Sequence, residues 1–202
     1  MAEPALPMPT RRDRQRAETR VRLFRSACAE IDRVGLSDAQ IPRIAAAAGV
    51  ARATFYFHFP TKDDVLDELV GRLQNGLKDA LAREVPGTVS LRDVIGQLLA
   101  RILQNRAFVG NAHLMREVLA AIVRRAQDET LPADPGLSAA LAPHFQAAAE
   151  RGEIRLSIDP ERLSAILLAS MFGLLLGRHP SDEELEASLD LLADLFLRGL
   201  VV

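Results

Sequence analysis

Arg52, Thr54, Tyr56, His58 and Lys62 fall within eleven residues of this chain. Together they suit one chemistry, the recognition of a nucleic acid. A guanidinium can fork onto O6 and N7 of guanine. Threonine and tyrosine hydroxyls and an imidazole N–H are good donors to phosphate oxygens. Lys62 conflicts with local rules if it serves only as a surface residue, because a cation in the first turn of a helix opposes the macrodipole by about 0.3–1 kcal/mol. A phosphate bound there reverses the sign, since the ammonium and the backbone N–H groups both favour an anion. Other chemistries lack their residues. The histidines His58, His113, His144 and His179 are scattered, Cys28 is the only cysteine, and no metal site is expected. No nucleophile elbow, P-loop or dinucleotide fingerprint occurs, so neither catalysis nor a cofactor is expected.

The element that must position these residues is legible in IPRIAAAAGVARATFYFHFPTKDDVLDEL, Ile41–Leu69. Pro42 suits the first turn of a short helix over about 41–48, where its missing N–H has no intrahelical partner. Ala45–Ala48 are small enough for close helix crossing, Gly49 can take the positive φ that stops the helix, and Val50 can pin the turn to the core. A second short helix over about 52–57 follows, closed by Pro60. Two short helices joined at a glycine describe a helix-turn-helix. Such a motif places the N-terminal residues of its second helix in the major groove. Phe55 and Phe59, four apart, are expected to face inward as core.

The wording of this segment resembles the N-terminal domain of TetR-family transcriptional regulators. The shared features are a helix ending at Gly35, the Ile44-Ala45 pair nine residues on, AGV at 48–50, TFYFHF at 54–59 and Lys62 after it. The likeness is close over about residues 14–70. The remainder agrees in length, in helicity and in the ERGEIR…DPERL segment at Glu150–Leu163. The resemblance implies that Arg52 and Ala53 begin the recognition helix and face base edges. It implies that Thr54, Tyr56, Phe57 and His58 line the groove or touch phosphates, with Lys62 as a phosphate contact. For Phe57, which has no polar handle, contact with the sugar-phosphate edge and simple packing both remain open. Two positions depart from the family's pattern. Ala51 stands where a serine or threonine normally caps the recognition helix, and Ala39-Gln40 replaces a threonine pair, leaving Gln40 as the substitute phosphate donor.

Charge supports the same location. Residues 1–62 carry eleven Lys/Arg against six Asp/Glu, and residues 63–202 carry fourteen against twenty-one. The formal net charge of −2 thus conceals a basic head of +5 and an acidic body of −7. Arg11, Arg12, Arg14 and Arg16 precede or open the first helix, and read equally as an arm reaching DNA or as a solubilising tail.

Helical periodicity runs through the rest, and the fold class expected is all-α, about nine helices. The domains expected are a disordered Pro-rich and basic tail over 1–13, a helix-turn-helix DNA-binding domain over 14–62, and an effector-binding and dimerisation domain over 63–202. The first helix is expected from about Arg14 to Val34, with Val21, Phe24, Ala27, Cys28 and Ile31 on one face. Thr61 and Ser90 read as helix N-caps. The helix near 160–177 is apolar nearly all round and is expected to be buried on all sides, and that near 181–199 carries a second apolar stripe at Leu191 and Leu195. By the resemblance, these two C-terminal helices form a homodimer, which sets two recognition helices roughly 34–36 Å apart on a pseudo-palindromic operator.

A small hydrophobic effector is the expected ligand, with Phe108, His113, Met115, Arg116, Phe145, Met171 and Phe172 as candidate pocket residues. The function expected is a ligand-responsive, DNA-binding transcriptional regulator, a repressor released by its effector. The alternative is an all-α small-molecule carrier with a vestigial helix-turn-helix. No signal peptide or membrane span is read from the sequence, and a cytoplasmic location is expected.

Overall fold

The computed structural model describes residues 10–109, 112–127, 136–177, 179 and 181–200. Among these residues there are nine helices and no strand: α1 (Arg11–Val34), α2 (Ile41–Ala47), α3 (Arg52–His58), α4 (Lys62–Ala82), α5 (Leu91–Val109), α6 (Ala112–Gln127), α7 (Gly136–Glu150), α8 (Pro160–Leu176) and α9 (Asp182–Arg198). The expected all-α class is therefore found. Two compact units divide the chain, one comprising 1–68 with 111–117, the other 69–110 with 118–202.

In the first unit, α1 begins three residues before the expected start at Arg14. The reason is local. Thr10 accepts from the Asp13 N–H at 3.2 Å while the Asp13 carboxylate takes the Thr10 N–H at 3.0 Å, a capping box that satisfies donors at the helix start. Arg11 and Arg12 are consequently helical, not part of an extended arm. The buried face of α1 is Leu23, Phe24, Ala27 and Ile31. Val21, expected inward, is 36% exposed, and Leu23 takes its place. α2 packs on α1 and α3 on α2, and Ile44 and Ala45 of α2, Phe55 of α3, and Phe59 are all buried. Thr61 caps α4 as expected: its hydroxyl oxygen accepts from the Asp64 N–H at 3.2 Å, and the Asp64 carboxylate accepts the Thr61 N–H at 2.6 Å.

In the second unit, α7 packs on α8, α8 on α9, and α5 on both α7 and α9. Ser90, Asp159 and Ser181 cap α5, α8 and α9 through side-chain oxygens accepting from Asp93, Arg162 and Glu184 N–H groups. The helix α8 differs from expectation. Leu163, Leu167, Leu168, Met171 and Leu175 are buried, but Ile166 is 44% and Leu176 57% exposed, so a single chain covers only one side of it. On α9, Leu185, Leu189, Ala193 and Leu197 are buried, and the second stripe, Leu191 and Leu195, stands at 59% and 61% exposure.

Candidate nucleic-acid interface

The turn between α2 and α3 is built from backbone hydrogen bonds that only a glycine-type conformation permits. Gly49 has φ +67°, its N–H donates to Ala46 O at 3.0 Å, and the Val50 N–H donates to Ala45 O at 3.0 Å. This pair of bonds is a Schellman motif, which satisfies the orphan carbonyls at the end of α2 and turns the chain into α3. Pro42 occupies the first turn of α2. The N-caps Gln40 and Ala51 make no side-chain cap hydrogen bond. The capping deficit anticipated from Ala51 is therefore present.

The seven residues of α3 divide by helical spacing. Phe55 and His58 point inward with Phe59 just beyond the helix; Phe55 and Phe59 are fully buried, with ring centroids 5.9 Å apart. Arg52, Ala53, Tyr56 and Phe57 form the exposed face, with Phe57 64% accessible, and Thr54 is half-buried. Arg52 and Tyr56, one turn apart, act as a unit: Nη2 of Arg52 donates to the Tyr56 hydroxyl at 3.1 Å, and its guanidinium lies 5.6 Å from the centre of the tyrosine ring.

His58 departs from the outward placement expected for it. It shares the i, i+3, i+4 face of Phe55 and Phe59 and is only 8% exposed. Its ring meets Phe57 edge-on at 5.2 Å. Burial, aided by the nearby Arg20 and Arg16 charges, holds its pKa below the ordinary histidine value.

Lys62 points back into the fold. Its ammonium donates to the carbonyls of Ser37 at 2.9 Å and Ala39 at 3.0 Å, which fixes the loop leading into α2. That arrangement gives the first-turn cation two acceptors of its own. Gln40 is exposed beside this loop. Glu30 closes the other side of the loop, paired with Arg33 at 2.8 Å and Arg43 at 3.4 Å. The Arg33 guanidinium holds the Glu30 carboxyl below its usual range.

Two arginines on α1 border the site. Arg16 lies over the exposed Phe57 ring at 4.8 Å, and Arg20 lies over Phe59 at 4.3 Å. The sequence shows Arg16 only as part of a basic cluster and carries no local signal that sets Arg20 apart. Their spacing of four, matched to aromatics two apart on α3 and its end, is a signal visible only once α1 and α3 are known to face each other. A shallow cleft of about 470 Å³ lies here, with Arg12, Arg16, Thr19, Thr54 and Phe57 among its walls.

The candidate effector residues do not gather into one described cavity. Phe145 and Met171 are fully buried in the second unit, Phe145 meeting Phe196 edge-on at 6.2 Å, and Phe172 is half-buried. Met115 is buried and Arg116 exposed in the part of α6 that belongs with the first unit. The side chains of Phe108 and His113 lie outside the described residues. A cleft of about 900 Å³ lies between α5 and α9, and its walls include Arg92, Ile95, Leu191 and Asp194. None of the seven candidates lines it.

A glycine turn that delivers a short helix with an exposed arginine-tyrosine pair, in a segment of net charge +5 over residues 1–62, has the geometry of a helix-turn-helix. Residues 23–69 match the model of the bacterial regulatory proteins of the tetR family, so this segment carries the N-terminal domain characteristic of that family. Solved structures carry the same fold over nearly the whole chain. A TetR-family regulator from Mesorhizobium loti aligns with a TM-score of 0.66 at 20% identity, covering 93% of this chain and 99% of its own. FadR of Thermus thermophilus, a TetR-family repressor in complex with lauroyl-CoA, aligns with a TM-score of 0.65 at 25% identity, covering 91% and 95%. SmeT, the repressor of a Stenotrophomonas maltophilia multidrug efflux pump, aligns with a TM-score of 0.64 at 22% identity, covering 92% and 93%. No curated protein sequence matches the chain.

Proposed function

We propose that this chain is a homodimeric repressor that binds a pseudo-palindromic operator and releases it when a small hydrophobic effector binds the C-terminal unit. The observation that carries the DNA-binding half is the outward face of α3. Arg52, Ala53, Tyr56 and Phe57 project from a helix whose inward face is fully packed, in a segment of net charge +5. In this reading Arg52 and Ala53 meet base edges, and Gln40, Thr54, Tyr56 and Phe57 meet the sugar-phosphate backbone. Lys62 contributes its third N–H to a phosphate while its other two hold the α2 loop. His58 supports Phe57 from beneath.

Dimerisation through α8 and α9 is supported by the apolar side chains that a single chain leaves uncovered, Ile166 and Leu176 on α8 and Leu191 and Leu195 on α9. A hydrophobic effector is supported by the apolar interior of the second unit and by relatives that carry such ligands, lauroyl-CoA in FadR and triclosan in SmeT. Phe145, Met171 and Phe172 belong to that interior, and a ligand would reach the fully buried Phe145 and Met171 only by displacing the packing around them. To release DNA the effector must bind the released conformation more tightly than the operator-bound one, since equal affinity shifts nothing. The deciding experiment is selection of genomic fragments by the purified protein, followed by footprinting. A protected palindrome is expected. No enriched sequence, with a lipid or aromatic molecule co-purifying, would favour the carrier reading instead.

A further inference from the structure

The recognition helix α3 has little to hold it in place by itself. Seven residues are too few for an isolated helix to persist, its N-cap is an alanine, and its first turn carries no acid. At its other end the last carbonyl has no intrahelical donor. That carbonyl, on His58, accepts from Nη1 of Arg20 at 2.5 Å. Nη2 of the same guanidinium pairs with the Glu68 carboxylate on α4, and its Cζ lies over the Phe59 ring, 4.3 Å from the centroid. One side chain of α1 therefore touches the end of α3, the residue after it, and the first third of α4. We infer that Arg20 is the positioning residue of the recognition helix: it fixes the angle at which α3 is presented to DNA without itself contacting the operator.

Three features support this. A cation at a helix C-terminus is favoured by the macrodipole, so the bond to His58 O is strengthened by the helix it restrains. The planar fork can donate in two directions while its face stacks on an aromatic ring, which a lysine cannot do. The carboxylate of Glu68 offsets the charge and aims the fork, so that the guanidinium is held from two sides.

The inference rests on the DNA-binding reading, and the test separates the two. Amide hydrogen exchange across residues 52–58 is compared in the wild type, Arg20→Ala, Arg20→Lys and Glu68→Gln. The same proteins are titrated against a labelled duplex enriched from genomic DNA by the wild type, and against a random-sequence duplex, over a range of salt. In Arg20→Ala, exchange in α3 is expected to rise at least tenfold while exchange in α8 stays within twofold. The ratio of specific to random binding is expected to fall at least tenfold, with an unchanged salt slope. Arg20→Lys is expected to resemble Arg20→Ala, and Glu68→Gln to show the same changes at reduced size, which keeps the test open should Arg20→Ala fold poorly. Unchanged exchange in α3 would overturn the inference, as would full recovery by lysine. So would equal losses on both duplexes with a shallower salt slope, which would make Arg20 a phosphate contact. If the wild type enriches no duplex, the DNA-binding reading fails, and the exchange comparison alone decides whether Arg20 positions α3.

Discussion

The ammonium of Lys62 donates to the backbone carbonyl of Ser37 at 2.9 Å, joining residues 25 positions apart in the chain. With its second bond to Ala39 O, this lysine ties the start of α4 to the loop that launches α2. A residue whose sequence position argues for a phosphate thus also closes the scaffold that carries the reading head.

Lys62→Ala should therefore have two separable consequences. Loss of the ties to Ser37 and Ala39 should lower the unfolding free energy by about 1.5–3 kcal/mol, the usual range for hydrogen bonds to charged groups. Loss of one phosphate contact should reduce the slope of log K against log salt by about 0.9. Chemical denaturation and a salt titration measure the two independently. A stability loss with an unchanged salt slope would leave Lys62 as a structural tie alone.

The turn that delivers α3 yields a pair of opposite predictions. Gly49→Ala meets no neighbouring atom within 4 Å, so its cost is conformational: a side chain at φ +67°. The expected destabilisation is about 1–2 kcal/mol. Ala51→Ser should supply the missing cap, with a gain of about 0.5–2 kcal/mol. Differential scanning calorimetry on both variants should show shifts of opposite sign.

These local features were legible in the sequence because each depends on a few consecutive residues. Gly49 as the turn, Pro42 in a first turn, Thr61 and Ser90 as caps, and Phe55 with Phe59 as inward residues all follow from short-range geometry. What was missed depends on which helix faces which. The motif resemblance implies an outward His58, whereas its spacing from Phe55 puts it on the packed face. Arg20 could not be read at all, since its three contacts lie on α3, just after it, and on α4. The effector site was not legible either: apolar residues on several helices signal a core, and nothing in their spacing distinguishes a core from a pocket.

Two buried histidines predict an acid limb to stability. Burial lowers the pKa of His58, with Arg20 and Arg16 adding to the effect. Burial also lowers that of His144, opposed by the Leu81 carbonyl and Glu84. Each binds fewer protons folded than unfolded, so stability is full above the unfolded value of about 6.5 and declines as pH falls towards the folded one. Glu30 and Glu153, whose carboxyls are held below the ordinary 4.5 by Arg33 and Arg151, lose their contribution only at lower pH. Urea midpoints should fall between pH 7.5 and 5.5, and the double variant His58→Gln, His144→Gln should flatten that fall. An unchanged slope would place the acid sensitivity elsewhere.

On α9, Leu191 and Leu195 are more than half exposed in the single chain, so charging them should not disturb its core. If the chain is the proposed dimer, Leu191→Glu with Leu195→Glu should halve the mass seen by analytical ultracentrifugation while leaving the helical circular dichroism intact. Operator affinity should fall with it, because a monomer reads only one half-site. A double variant that remains dimeric would move the interface off α9.

The sharpest test of sequence reading is Arg52→Ala. In the free protein the guanidinium rests against Tyr56, one turn away, with its Nη2 bonded to the tyrosine hydroxyl. An arginine held this way keeps part of its fork available on the exposed face and gives up only one weak bond on swinging to a guanine. Its loss should cost about 1–3 kcal/mol on the selected operator and relax preference at one base pair in each half-site. Binding to random duplex should weaken far less, since Arg52 would be spent on a base edge and not on a phosphate. Tyr56→Phe removes only the hydroxyl tether, so it should leave base preference intact and alter affinity by a smaller factor. Repeating the genomic selection with each variant reads both outcomes at once. Uniform weakening across all sequences in Arg52→Ala would reassign this arginine from the bases to the backbone.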